Sequence, residues 1–226
     1  MKKQYWLILF LLILGAHIAG IQLNNEIFQY VSKPLLLPVL GAYFLFETKG
    51  MASGLKKWVL LALFFSWAGD ILLIFVARDE LFFLLGLASF LLAHIFYIIF
   101  FHQVRIREGI KGNPWLLLVV VIYYGALISW LSPYLGTMKI PVRIYGIVIS
   151  FMFMLAMHML AIKNKPAGRW MMLGALLFVL SDSVLAINKF YNPFEPAGII
   201  IMLSYGLAQL FIVKGAVDYI NTGQKE

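Results

Sequence analysis

Residues Gly174–Phe190 read GALLFVLSDSVLAINKF, an apolar run with Asp182 inside it and Lys189 at its end. An ionisable side chain at membrane depth costs ~2.5–3.5 kcal/mol even on insertion scales, so it needs a partner or a water-filled cavity. The run is long enough for most of a bilayer crossing, which makes the carboxylate a candidate site rather than a surface charge.

Working outward, seven further apolar runs can be drawn, giving expected spans at Trp6–Leu23, Val31–Phe46, Lys57–Val76, Leu81–Phe101, Trp115–Leu131, Ile140–Ile162, Arg169–Asn188 and Ala197–Val213. The second is the weakest, because Pro34 and Pro38 interrupt it. A proline within a span kinks the helix without excluding it from the membrane. The chain is 63% hydrophobic and 12% charged over 226 residues. That charged fraction is about half the ~25% of a soluble domain. The expected fold is all-α: a polytopic membrane helix bundle with eight transmembrane helices, forming a single integral membrane domain over residues 1–226. Cysteine is absent, which removes disulfides, thiolate nucleophiles and Cys-based metal sites.

The net charge of +8 falls in short groups between the apolar runs. No basic face alternates with stacking aromatics, so no nucleic acid partner is expected. Thirteen of the 18 Lys and Arg residues fall on the side of the N-terminus: Lys2, Lys3, Lys49, Lys56, Lys57, Arg105, Arg107, Lys111, Lys163, Lys165, Arg169, Lys214 and Lys225. Lys33, Arg78, Lys139, Arg143 and Lys189 fall on the other. The bias predicts both termini cytoplasmic, and a plasma (inner) membrane location if the source is bacterial. We read Trp6–Leu23 as a span rather than a cleaved signal peptide, since it is long for an h-region.

Asp70 and Asp182 carry the chemistry. Phe65–Leu73 (FSWAGDILL) and Phe178–Leu185 (FVLSDSVL) both run small residue, Asp, two residues, Leu. Their spans are four apart and run in the same direction, compatible with a 4+4 pseudo-repeat. Each Asp lies about six residues before the non-cytoplasmic end of its span, ~9–10 Å below one interface at 1.5 Å per residue. A lone intramembrane Asp can serve a backbone hydrogen bond. Two at matched depth can share a cavity in which only one stays ionised, which supplies a general acid and a general base. Lys33 and Lys189 lie on the same side, and Lys189 follows Asp182 by two α-helical turns. Together they suit an anionic headgroup.

Gly86, Phe90, His94 and Tyr97 recur on one face of the fourth span, and His94 lies ~20 Å from the interface, deeper than either Asp. It is expected as a floor residue. Tyr205 and Gln209 share a face of the eighth span. Lys33, Lys189, His94, Tyr97, Tyr205 and Gln209 are therefore the expected substrate-binding set around catalytic Asp70 and Asp182. The sixth span adds Tyr145 and His158, the latter near the cytoplasmic end. His17 and His102 read as peripheral. Only Asp70, Asp182 and His94 offer a metal set, and their depths do not match, so neither metal nor cofactor is expected. There is no G-x-S-x-G elbow, P-loop or His-x-x-x-His pair.

The ordered set Lys33-Pro34, Gly69-Asp70-Ile71-Leu72-Leu73, the Gly86/Phe90/His94/Tyr97 face, Ser181-Asp182 with Leu185-Ala186 and Lys189-Phe190, and Tyr205 with Ala208-Gln209 resembles the YhhN family of transmembrane lysoplasmalogenases. The resemblance implies a membrane hydrolase that cleaves the vinyl ether of lysoplasmalogens to a fatty aldehyde and a glycerophospho-headgroup. Its partners would be a lysophospholipid in the bilayer and water as co-substrate, with no protein partner. The competing expectation is a proton-coupled transporter of lipids or small molecules that uses the same aspartates as a relay.

Overall fold

The computed structural model describes residues 3–222, so Lys2 and Lys225 of the charge tally lie outside the described residues. It is all-helical among them. Eight long helices are present: α1 (Lys3–Gln22), α2 (Glu26–Glu47), α3 (Lys56–Ile74), α4 (Leu81–Arg107), α5 (Pro114–Leu131), α6 (Lys139–His158), α7 (Lys165–Ala186) and α8 (Ala197–Thr222). Each expected span is thus a helix. Seven of the eight are long and apolar enough to cross a bilayer; α2 falls short of that criterion.

The helix starts follow local chemistry. Asn25, Asn113 and Asn164 each accept a backbone N–H of the first turn of α2, α5 and α7, and proline fills an early position of α5 and α7. Inside α2, Pro38 has no N–H to give the carbonyl of Pro34. The Trp67 indole of α3 takes that place, with Nε1 donating to the Pro34 carbonyl at 2.9 Å. The proline that weakens α2 as a sequence signal is therefore where α2 is fixed to α3.

Consecutive helices pair as α1–α2, α3–α4 and α7–α8, and α6 links α4 to α5 and α7. Small residues set the close approaches, as expected where bilayer hydrocarbon offers no hydrophobic drive between helices. A Cβ on Gly174 of α7 would stand 2.7 Å from the Ala208 carbonyl of α8, and one on Gly215 of α8 would stand 2.7 Å from the Ala167 carbonyl of α7. Gly69 receives the Phe90 ring, and Gly86 receives Leu73, which brings α3 and α4 together. These contacts hold Asp70, Asp182 and Tyr205 on neighbouring helices. At its end α7 passes into a five-residue π-helical turn, Ile187–Tyr191.

Candidate functional site

Asp70 lies one turn before the end of α3 and Asp182 one turn before the end of α7. Both line one cavity of about 80 Å³, together with Lys33, Phe90, Tyr145, Ser181 and Tyr205. At ~30 Å³ per water, that volume suits two or three waters.

The two carboxylates are held differently. Asp70 is buried; Tyr205 Oη of α8 donates to its Oδ2 at 2.7 Å, and Lys33 Nζ of α2 stands 3.7 Å from its Oδ1. Lys33 sits one residue before Pro34, and His17 of α1 bonds the adjacent Ser32 at 2.8 Å. Asp182 accepts from the Tyr145 hydroxyl of α6 at its Oδ2, and His94 Nε2 of α4 lies 3.4 Å from the same oxygen and 2.9 Å from Tyr145 Oη. The Tyr145 hydroxyl has one proton and gives it to Asp182. His94 Nε2 is then the donor in the triangle, and its buried Nδ1 has no hydrogen-bond partner. Edge-to-face packing of His94, Phe90 and Tyr205 around Phe178 closes the floor.

Below this floor is a second polar layer. Tyr97 donates to Gln209 Oε1 at 2.6 Å, and Gln209 Nε2 donates to Ser66 Oγ at 3.0 Å. Ser66 lies one turn from Asp70 on α3, and Gln209 one turn from Tyr205 on α8. Tyr97 and Gln209 are fully buried and do not line the cavity. Their geometry fixes α3, α4 and α8 relative to one another, which differs from the direct substrate contact expected of them.

His94, expected as a floor residue, is part of the floor and also stands 3.4 Å from Asp182. Two further expectations are corrected. Lys189 does not stand over Asp182. The wider π-helical step swings it outward, to 3.8 Å from Glu80 and over the Phe83 ring, so Lys33 alone of the two lysines reaches the cavity. His17 is not peripheral. It is buried and lines a polar chamber of about 390 Å³ with Glu26, Gln29, Tyr30 and Lys33, whose residues Lys33, Leu73, Ile201 and Met202 also line the aspartate cavity.

In the sequence Tyr145 is only a polar residue of the sixth span. No local motif marks it, because its importance lies in reaching Asp182 from another helix. His158 lies elsewhere, accepting the Asn113 N–H at 3.1 Å. Ser181 and Ser183 bond Ile201 and Tyr123, so neither pairs with a histidine. Among the described residues no cluster of three or more His, Asp or Glu is placed to hold a metal.

A bundle of long apolar helices with two carboxylates facing one small internal cavity defines a multi-span membrane protein with an embedded acidic site. The chain matches the profile of the YhhN family over residues 28–216, and it belongs to that family. Its relatives include human lysoplasmalogenase TMEM86B, 32% identical over 182 residues that cover 80% of this chain and 73% of that protein. Bovine lysoplasmalogenase TMEM86A is 33% identical over 71% of this chain and 65% of its own length, and the lysoplasmalogenase of Mycobacterium tuberculosis is 29% identical over 71% and 60%. The matched stretch therefore spans less than two thirds of the latter two. No solved structure matches the chain.

Proposed function

We propose that this chain is a lysoplasmalogenase, an integral membrane ether hydrolase that uses Asp70 and Asp182 as a general acid–base pair. The observation that carries the reading is the shared cavity: two carboxyl groups and room for a few waters, enclosed by aromatic and apolar side chains. Membership of a family whose relatives bear the name lysoplasmalogenase supplies the substrate class. The substrate is a lysophospholipid with an alkenyl chain.

Vinyl ether hydrolysis needs what such a pair supplies. A protonated carboxyl gives its proton to the alkene carbon remote from oxygen, and the π electrons form the new C–H bond. The positive charge that develops on the carbon beside the ether oxygen is stabilised by the second, ionised carboxylate. That carboxylate takes a proton from the attacking water as the C–O bond forms. The hemiacetal then loses its hydroxyl proton and breaks its bond to the glycerol oxygen, which is reprotonated. The products are aldehyde and glycerophospho-headgroup. Lys33 serves the phosphate from the chamber side, while Tyr205, Tyr145 and His94 fix the two carboxyl groups. We place α2 in the membrane as an eighth span, with both termini cytoplasmic and the polar chamber opening on the opposite face.

Purified protein given a lysoplasmalogen in detergent micelles tests this reading. Release of fatty aldehyde, abolished by Asp70→Asn, is the expected result. Proton-coupled lipid uptake into liposomes without product formation would replace the hydrolase with a transporter.

A further inference from the structure

We infer that the slot between α5, α6 and α7 binds the aliphatic chain of the lipid, so that the substrate lies threaded past Asp182 with its polar end towards Lys33. The identity of the lipid rests on the hydrolase reading; the position of its chain rests on the following geometry.

Three spaces adjoin one another through shared lining residues. The polar chamber shares Lys33, Leu73, Ile201 and Met202 with the aspartate cavity, and the aspartate cavity shares Tyr145 and Asp182 with a third space of about 50 Å³ between α5, α6 and α7. The two outer spaces are chemically opposed. The chamber presents His17, Glu26, Gln29, Tyr30 and Lys33, with the four residues of α2 spaced to share one helical face. The third space is walled by Leu127, Ile128, Val142, Ile149 and Val179. The tyrosine hydroxyls along it are turned onto partners: Tyr123 onto Ser183, Tyr124 onto the Arg143 carbonyl and Tyr145 onto Asp182. What remains is a surface for methylene groups beside a catalytic carboxyl, and a headgroup site at the other end.

The outer wall of the slot is α5, the least embedded of the helices flanking it. It buries only Val120 and Leu131 and packs mainly on α6. Gly146 of α6 lets the Tyr124 ring lie against the helix backbone, since a Cβ there would meet that ring at 2.8 Å. A slot of this volume must widen to take a long chain, and α5 is the wall with the fewest buried contacts to lose. A chain that leaves the bilayer for the slot exchanges one hydrocarbon surrounding for another, so the slot contributes orientation more than affinity. The orientation sets the vinyl carbons against Asp182 and the glycerol oxygen towards Asp70 and Lys33.

The test uses the full chain in lipid nanodiscs with a saturated alkyl-ether lysophosphatidylcholine, which has no vinyl bond to cleave, carrying a diazirine at the chain terminus. Photolysis and peptide mapping of the wild type should place the label on the slot residues of α5 (Leu127, Ile128) or of α6 (Val142, Ile149). Label on Ile21, Ile74 or Gly198 of the chamber, or spread evenly over the lipid-facing helices, overturns the inference. In parallel, Ile149→Trp should lower kcat/KM for a long-chain lysoplasmalogen by roughly tenfold or more while leaving a short-chain one nearly unchanged; an equal loss on both also counts against it. Slot labelling in a protein that releases no aldehyde would sink the hydrolase reading and leave the lipid slot standing.

Discussion

Lys33 of α2 and Asp70 of α3 stand 3.7 Å apart, the lysine side chain mostly covered and the carboxylate buried. The pair joins the polar chamber to the aspartate cavity through one ammonium group, because Lys33 lines both. Breaking such a pair from one side strands the other charge, at a cost of about 3–5 kcal/mol when both are well buried. We therefore expect Lys33→Met to lower the thermal midpoint in detergent by several degrees, and Lys33→Met/Asp70→Asn to recover most of the loss. A double variant no more stable than Lys33→Met would show that the two residues are not energetically coupled.

Asp70→Asn and Asp182→Asn keep the shape of the side chain and remove its acid–base capacity. Each should reduce aldehyde release by at least ~10²-fold, the lower end for a general acid or base, with an unchanged elution volume in size-exclusion chromatography. Near-wild-type turnover in either variant would remove the two-carboxylate mechanism.

Tyr205→Phe and Tyr145→Phe each delete one hydroxyl donated to a carboxylate and leave the ring packing in place. Hydrogen bonds to charged groups contribute ~1.5–3 kcal/mol, so each change should lower kcat by roughly 10- to 100-fold if the bond persists in the transition state. The Tyr145 change also removes the nearer of the two partners of His94 Nε2, which makes Tyr145→Phe and His94→Gln non-additive in a double-mutant cycle. Strict additivity would place His94 outside the Asp182 cluster.

Gly174→Val puts a Cβ only 2.7 Å from the Ala208 carbonyl oxygen and from the Ile212 backbone of α8, closer than van der Waals contact allows. Separating α7 from α8 should cost about 1–3 kcal/mol, the usual range for overpacking. It should also depress turnover, because Asp182 rides on α7 and Tyr205 on α8. Thermal unfolding beside an aldehyde assay distinguishes this from Leu176→Val, a substitution on an exposed face of the same helix, which should leave both unchanged.

The helices and the two costly carboxylates are legible in the amino-acid sequence alone. Apolar runs of bilayer length have few alternatives to helix in a membrane, because every backbone N–H and C=O must be satisfied within the segment. An aspartate in such a run stands out because burying it is costly, and that made Asp70 and Asp182 legible without a neighbour in view. The tertiary structure decided what each one meets. Tyr145 reaches Asp182 across α6 and His94 across α4, contacts between residues separated by 37 and 88 positions that no local pattern encodes. The π-turn after Ala186 carries Lys189 away from Asp182 and onto Glu80 and Phe83, because a change in residues per turn alters the phase of everything beyond it. Pro34 and Pro38, read from sequence as weaknesses of α2, became the point where Trp67 holds Lys33's helix beside Asp70. Composition and spacing choose elements and costly residues, since those depend on a few neighbours along the chain; the pairing of polar groups depends on how eight helices pack, which is settled only when all of them are in place.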